Sequence, residues 1–264
     1  MQLQAPDDVW ARIEALAHAL PGGVVATDGD GTLWSGDVGE DMFNAFVEYG
    51  RVEPASLEAM RRDAREHSLS DAGSGPDIAR RILAAYTEGR FPERRVCELM
   101  VWCFAGWTPD EVAAFARDVV ETRGLAGRLH DELLRVLERV RGAGIDAVLV
   151  SASPVAVVLE AGARVGFDAG QIVAALPRTG GGVLLADVEH PIPYAEGKVQ
   201  RLRERIGHDR LLYAAFGDNA FDVSLLASAR VPVAVRPKPR LRERAGEVPG
   251  VVELSLTSPR PSSP

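Results

Sequence analysis

The chain has 264 residues, 46% of them hydrophobic, with 30 Lys and Arg against 38 Asp and Glu, a formal net charge of −8. That length suits one large domain, or a core carrying a smaller inserted one, with enough apolar material for a substantial interior. The acidic excess is spread along the chain and argues against nucleic acid as the main partner, because a phosphate backbone calls for clustered Lys and Arg.

In chain order, no basic stretch followed by an apolar run opens the sequence. No segment approaches the roughly 18 apolar residues of a membrane span. The expectation is a soluble cytoplasmic protein with no membrane partner. Residues 7–20 have helical spacing, with Val9, Ile13, Leu16 and Leu20 on one face, and Pro21-Gly22-Gly23 ends them. Val24-Val25-Ala26 then reads as a buried strand.

Residues 35–125 change character. Charged helical patterns dominate, broken by Pro54, Gly73-Ser74-Gly75-Pro76, Gly89 and Gly106, with no convincing strand. Thr108-Pro109-Asp110-Glu111 is a helix start, with Thr as N-cap, Pro next and acids in the first turn. The chain's two cysteines, Cys97 and Cys103, fall here; their spacing fits no metal or redox motif and they read as buried free thiols.

From about residue 126 helices and strands alternate. Helices are expected at 129–141, 154–165, 197–206 and 219–228, and strands at 145–150, 171–175, 211–216 and 231–235, with 180–186 in a hairpin. Such alternation implies an α/β fold, a mostly parallel sheet with helices on both faces. The expected division is a Rossmann-like core from 1–34 and 126–255, an all-helical inserted cap at 35–125, and a disordered Ser- and Pro-rich tail at 256–264. The basic stretch 236–244 carries Pro237 and Pro239 and reads as solvated surface.

Three apolar strands run straight into small polar residues: Asp28 and Asp30, then Ser151 and Ser153, then Asp218 and Asn219 after Gly217. Ligands in open α/β sheets bind at the carboxyl ends of strands, so these residues are expected to share one crevice. Asp28, Asp30, Asp218 and Asp222 together need a cation, and hard oxygen donors select Mg²⁺ or Ca²⁺. An EF-hand loop starting at Asp28 fails, because its invariant Gly would be Leu33 and its final Glu would be Gly39. Mg²⁺ is therefore the expected cofactor. Ser151, the amide near Ala152 and Lys198 would meet an anion, which suits a phosphoryl group. Each feature alone has a plainer reading: Asp-x-Asp as a turn, Ser-x-Ser-Pro as an N-cap, Lys198 as a solvated helix residue. Their order along the chain, three of them directly after apolar strands, favours the chemical reading.

On these segments the chain resembles the haloacid dehalogenase superfamily of phosphatases. Val24 to Leu33, with Asp28-Gly29-Asp30-Gly31-Thr32, resembles its first motif and Val148 to Ser153 its second. Gly197-Lys198 resembles the third motif and Gly217 to Asp222 the fourth. The helical stretch between the first two motifs is similar to the phosphoserine phosphatase-like branch. The resemblance implies Asp28 as nucleophile, Asp30 as general acid and base, and Mg²⁺ held by Asp28, the Asp30 carbonyl and Asp218. It implies Asp222 and Thr32 in support, and Ser151 and Lys198 on the phosphoryl group. The fourth motif departs from many relatives, having Asn219 and Phe221 where Gly and Asn are usual, while its Asp spacing is kept.

The expected reaction is hydrolysis of a small phosphate monoester through an aspartyl-phosphate. Phosphoserine is the first expectation. Asp37, at the place where that branch reads an amine, is the candidate contact, with Glu40 and Asp41 as competitors and helix capping as the plain alternative. Phosphoserine would also need a partner for its carboxylate, for which Arg61, Arg62 and Arg65 are the candidates. A phosphocholine- or phosphoethanolamine-type substrate is the alternative, with Trp34, Trp102 and Trp107 as possible ammonium contacts, although three such Trp are more often core. Phosphoryl transfer to an acceptor other than water, and a catalytically weak regulatory or binding protein on this fold, are the remaining readings.

Overall fold

The computed structural model describes residues 1–256. Strand β1 (Gln2–Gln4) precedes helix α1 (Pro6–Ala19), which has Pro in its first turn and Asp7 and Asp8 at its positive end. Strand β2 (Val24–Thr27) is buried at all four positions. Six α-helices follow before the next strand, the first five being α2 (Val38–Tyr49), α3 (Pro54–Glu66), α4 (Gly75–Thr87), α5 (Glu93–Trp102) and α6 (Pro109–Thr122). Reciprocal caps start two of them, Ser74 with Asp77 and Thr108 with Glu111, each satisfying amides that the helix cannot. Helix α7 (Asp131–Gly142) leads back to strand β3 (Asp146–Pro154) and helix α8 (Val155–Arg164). Strand β4 (Ile172–Ala175) is followed by the hairpin β5 (Pro177–Gly180) and β6 (Val183–Val188). Helix α9 (Glu196–Ile206), strand β7 (Leu212–Gly217), helix α10 (Val223–Ala227), strand β8 (Val231–Val235), helix α11 (Pro239–Glu243) and strand β9 (Val252–Leu254) complete the order.

The main sheet has seven strands in the order β1-β9-β8-β7-β2-β3-β4, paired in parallel throughout the described residues. Along β2 the side chains alternate between layers. Val25 joins the cluster that holds α1 and the helical segment, while Val24 and Ala26 join the one with Leu202, Leu225 and Leu241. The expected α/β three-layer core is therefore present. The strand order reverses at β2, where β3 lies on one side and β7 on the other. This puts the carboxyl ends of β2, β7 and β3 around one crevice.

Several details differ from the sequence reading. Strand β3 continues past Val150 to Pro154, and a single turn of 3₁₀ helix at Ala220–Asp222 precedes the short α10. Strands β1 and β9 are three residues each, too short for a periodic signal, and exist because they extend the edge beyond β8. The basic segment is not simply solvated: it forms α11, Leu241 is fully buried, and Arg236 pairs with the buried Glu132 at 2.6 Å. The hairpin binds the helical segment through two backbone bonds, Gly106 N–H to the Leu184 carbonyl at 2.9 Å and Leu184 N–H to the Trp107 carbonyl at 2.8 Å. From residue 257 on, the tail expected to be disordered lies outside the described residues. No helix among the described residues is long and apolar enough to cross a membrane.

The tryptophans go to the interior. Trp34, Trp102 and Trp107 are 0%, 4% and 3% exposed, so none can meet a substrate ammonium. Trp107 packs against Phe46, Phe104 and Phe115 and carries the Arg51 guanidinium 4.5 Å above its ring. Arg65 pairs with Asp71 and Glu58 at an exposed position.

Candidate active site

Asp28 leaves the end of β2 with its side chain buried among charged partners. Its Oδ1 accepts from Lys198 Nζ at 2.5 Å and its Oδ2 from the Thr32 hydroxyl at 2.9 Å. Lys198 also reaches Asp222 Oδ1 at 2.6 Å. Burial would by itself lower the Lys198 pKa, but Asp222 and Asp28 outweigh it and hold the ammonium firmly charged. For Asp28 burial is the larger influence: it pushes the carboxyl well up, with Asp222, Asp218 and Asp30 adding repulsion and Lys198 opposing them.

Asp30 points the other way. Its Oδ1 accepts from Trp34 Nε1 at 2.9 Å and from the Val38 amide at 2.7 Å. Its Oδ2 accepts from Ser153 Oγ at 2.7 Å and Ser151 Oγ at 3.2 Å. Four donors from three parts of the chain fix its orientation. Ser151 thus meets Asp30, and Ser153, which the sequence reading gave no role, faces the same oxygen and lines the cavity together with Ala152.

On the other flank, Asp218 follows β7. Its Oδ2 contacts Lys238 at 2.9 Å, and its pKa is pushed up to about 6 by burial and by Asp222. Carboxylate oxygens of Asp28, Asp218 and Asp222 lie within 4.8 Å of one another. Three buried acids so close repel unless a cation is shared among them, and all-oxygen donors fit a hard divalent ion. Asp222 is the least available of the three. Its Oδ1 holds Lys198, and its Oδ2 accepts from the amides of Asp218 and Asn219 at 3.1 and 3.0 Å. Its geometry suits holding the loop rather than coordinating directly. Proton competition at Asp218 gives a sign: divalent cation affinity falls as the pH drops through about 6, read as a shrinking cation-induced rise in melting temperature.

Gly31 lets these strand ends meet. Its φ is +83°, and a Cβ there would sit 2.1 Å from Asp218 Oδ2. Gly31→Ala is expected to destabilise the protein by about 1–3 kcal/mol and to displace the Asp218 carboxylate. Thermal scans with and without divalent cation read both effects, the second as a lost cation shift.

The cavity above these groups is ≈ 330 Å³. The helical segment supplies part of its wall through Asp37, Glu40, Tyr86 and Glu93. Asp37 is the N-cap of α2, its Oδ1 accepting from the Glu40 amide at 2.9 Å, so capping and cavity lining coexist. Burial, then Asp30, raises its pKa well above the usual carboxylate value. Asp41 pairs instead with Arg128 and is not at the cavity. Arg61, Arg62 and Arg65 do not line it either. Cys97 does, as a half-buried thiol, while Cys103 is fully enclosed; both are free. Lys238 was missed by the sequence reading. Its available signal was position, shortly after the carboxyl end of β8, beside β7. Glu93, Tyr86 and Tyr194 were missed because they converge from separate elements, and Phe221, noted only as a departure in the fourth motif, also lines the cavity.

A parallel sheet reversing at the interior strand β2, with paired Asp residues and a buried Lys at that point, defines a Rossmann-like hydrolase. The chain belongs to the haloacid dehalogenase-like hydrolase family, whose model matches residues 25–227. It is 31% identical over 157 residues to the inhibition of morphological differentiation protein of Streptomyces azureus, a match covering 58% of this chain and 55% of that one. The match thus spans about half the length of that curated relative. Among solved structures it is similar to a protein of unknown function from Bordetella pertussis Tohama I, with 24% identity, TM-score 0.65, and 89% of this chain and 98% of that one covered. It is also similar to a functionally unknown protein from Anaerococcus prevotii DSM 20548, with 17% identity, TM-score 0.66 and coverage of 97% and 93%. A substrate-bound phosphoserine phosphatase complex aligns with 16% identity, TM-score 0.51 and coverage of 87% and 92%. At these identities the likeness is one of fold.

Proposed function

We propose that this protein is a magnesium-dependent phosphomonoesterase acting on a small phosphorylated metabolite through an aspartyl-phosphate on Asp28. The observation that carries this reading is the placement of Asp28 at the floor of the cavity. One of its carboxylate oxygens lies on Lys198 and a differently oriented carboxylate, Asp30, stands two residues away. When bound, Mg²⁺ held by Asp28, Asp218 and the Asp30 carbonyl, with Asp222 in support, would screen the negative charge of the phosphate.

Asp28 attacks phosphorus, the bond to the leaving oxygen breaks, and Asp30, as the general acid, gives that oxygen a proton. Asp30 then takes a proton from a water, which attacks the same phosphorus and frees Asp28 and inorganic phosphate. Lys198 and the Ala152 amide bind the transferring group, and the Ser151 hydroxyl joins them by turning from Asp30, which Ser153 continues to hold. The donors around Asp30 keep it aimed away from the nucleophile, so one carboxylate attacks while the other moves protons. The helical segment, residues 35–125, acts as the cap that selects the leaving group, and the remaining residues form the core. The protein works in the cytoplasm, without nucleic acid or membrane as partner.

The test is hydrolysis of an aryl phosphate with Mg²⁺ and after chelation. Turnover that needs Mg²⁺ supports the reading, and turnover unaffected by chelation counts against the ion. Asp30→Asn is expected to lower kcat by about 10²–10⁴-fold, with a smaller loss on aryl esters, whose leaving groups need less protonation. Comparing an alkyl with an aryl phosphate measures that difference.

A further inference from the structure

We propose that the cavity selects a phosphate ester whose leaving group carries an ammonium and no carboxylate. This deepens the phosphomonoesterase reading and rests on it.

The charge census of the cavity is lopsided. Among the described residues, seven carboxylates line it against two lysines, and no arginine does. Both lysines are engaged, Lys198 by Asp28 and Asp222, and Lys238 by Asp218. With Lys198 given to the transferring phosphoryl group, a substrate carboxylate would enter a field of like charge with only Lys238, already paired with Asp218, to meet it. Phosphoserine, the expectation from the sequence, carries such a group.

The lining outside the acid–lysine cluster has the opposite preference. Glu40 and Glu93 face it from α2 and α5, each about half buried, with Lys238 reaching Glu40, and Arg240 and Lys238 reaching Glu93, through space alone. Neither glutamate forms an ion pair among the described residues, although most acids on this chain's interior do. Tyr86 stands beside Glu93. Tyr194 lies over Phe221 with ring centroids 4.6 Å apart, making an aromatic wall. Carboxylates and aromatic rings lining one cavity attract an ammonium through charge and through the ring quadrupoles. What distinguishes this from an ordinary acidic surface is the shared cavity: Glu93, Tyr194 and Phe221 line the same ≈ 330 Å³ as the nucleophile. That volume is at the small end for a ligand site and suits a short substrate.

The experiment compares kcat/KM for phosphocholine with that for 3,3-dimethylbutyl phosphate, which has the same shape with carbon in place of the charged nitrogen. Phosphoethanolamine and phosphoserine are run alongside, and an aryl phosphate establishes phosphatase activity independently. The expected result is a preference of about tenfold or more for the charged ester over its neutral copy, with phosphoserine poorer than phosphoethanolamine. Glu93→Gln and Phe221→Leu are each expected to shrink the charged-to-neutral ratio severalfold. A ratio near one, or phosphoserine as the best substrate, overturns the proposal while aryl phosphate turnover leaves the phosphatase reading standing. If no ester is hydrolysed, the phosphatase reading fails instead. The cation site is then judged by whether choline raises the melting temperature more than 3,3-dimethylbutanol does, equal shifts counting against it.

Discussion

Asp28→Asn is expected to abolish turnover, by about 10⁴–10⁶-fold in kcat, while the folded protein stays at least as stable as the parent in the absence of added cation. The two effects have different origins. Turnover is lost because an amide cannot attack phosphorus. Stability is kept because the native carboxylate is unfavourably placed: burial pushes its pKa well up, and Asp222, Asp218 and Asp30 repel it. Asn has the same shape and removes that repulsion, and Lys198 retains Asp222 at 2.6 Å as its partner. Steady-state assays and thermal scans read the pair of outcomes. Near-normal turnover would remove Asp28 from the nucleophile's role. A large drop in melting temperature would mean that the pairing with Lys198 outweighs the repulsion.

Lys198→Ala should do the reverse and injure both. Lys198 is 4% exposed and contacts Asp28 and Asp222 at 2.5 and 2.6 Å. Removing it leaves two buried carboxylates facing each other without a counter-charge. Breaking a buried pair in this way costs about 3–5 kcal/mol. In a chain of this size that is a fall of roughly 10 °C in melting temperature. The loss depends on pH. Without Lys198, the already raised Asp28 pKa rises further, and such a carboxylate costs the fold stability progressively as the pH climbs from its unfolded value toward its folded one. The deficit should therefore narrow as the pH is lowered from 8 to 5. Adding Asp28→Asn to Lys198→Ala should recover part of the stability and none of the activity. A deficit that is flat with pH would place the damage in lost packing rather than charge.

The axial chemistry was legible in the sequence because its residues sit at fixed distances along single segments. The turn from Asp28 to Thr32 and the four-residue spacing of Asp218 and Asp222 are local, and apolar strands before them announce where they emerge. Lys198 was legible only in company, since a lone Lys on a helix is usually solvated. The wall of the cavity was much less so. Asp37 could be named from its position after Asp28. Glu93 and Tyr194 lie far apart in the chain and carry no motif, Phe221 showed only as a departure within the fourth motif, and the Trp residues, which composition made attractive, went to the core. Lys238 was hidden inside a basic stretch whose neighbours do bond at the surface, as Arg242 does with Glu253.

By itself, then, the sequence determined the alternation of helix and strand, the long helical interruption, the acids at the strand ends and the lysine at the start of α9. Hydrophobic period and local spacing are properties of short segments, and they survive without knowledge of what packs against them. The tertiary structure alone decided that β2 lies between β3 and β7, which gathers those groups into one cluster. It alone decided that Asp222 spends both oxygens on Lys198 and the Asp218 loop, and that no arginine among the described residues reaches the cavity. Selectivity of this kind depends on distances between residues remote in the chain, and those distances exist only once the helical segment and the sheet enclose the same space.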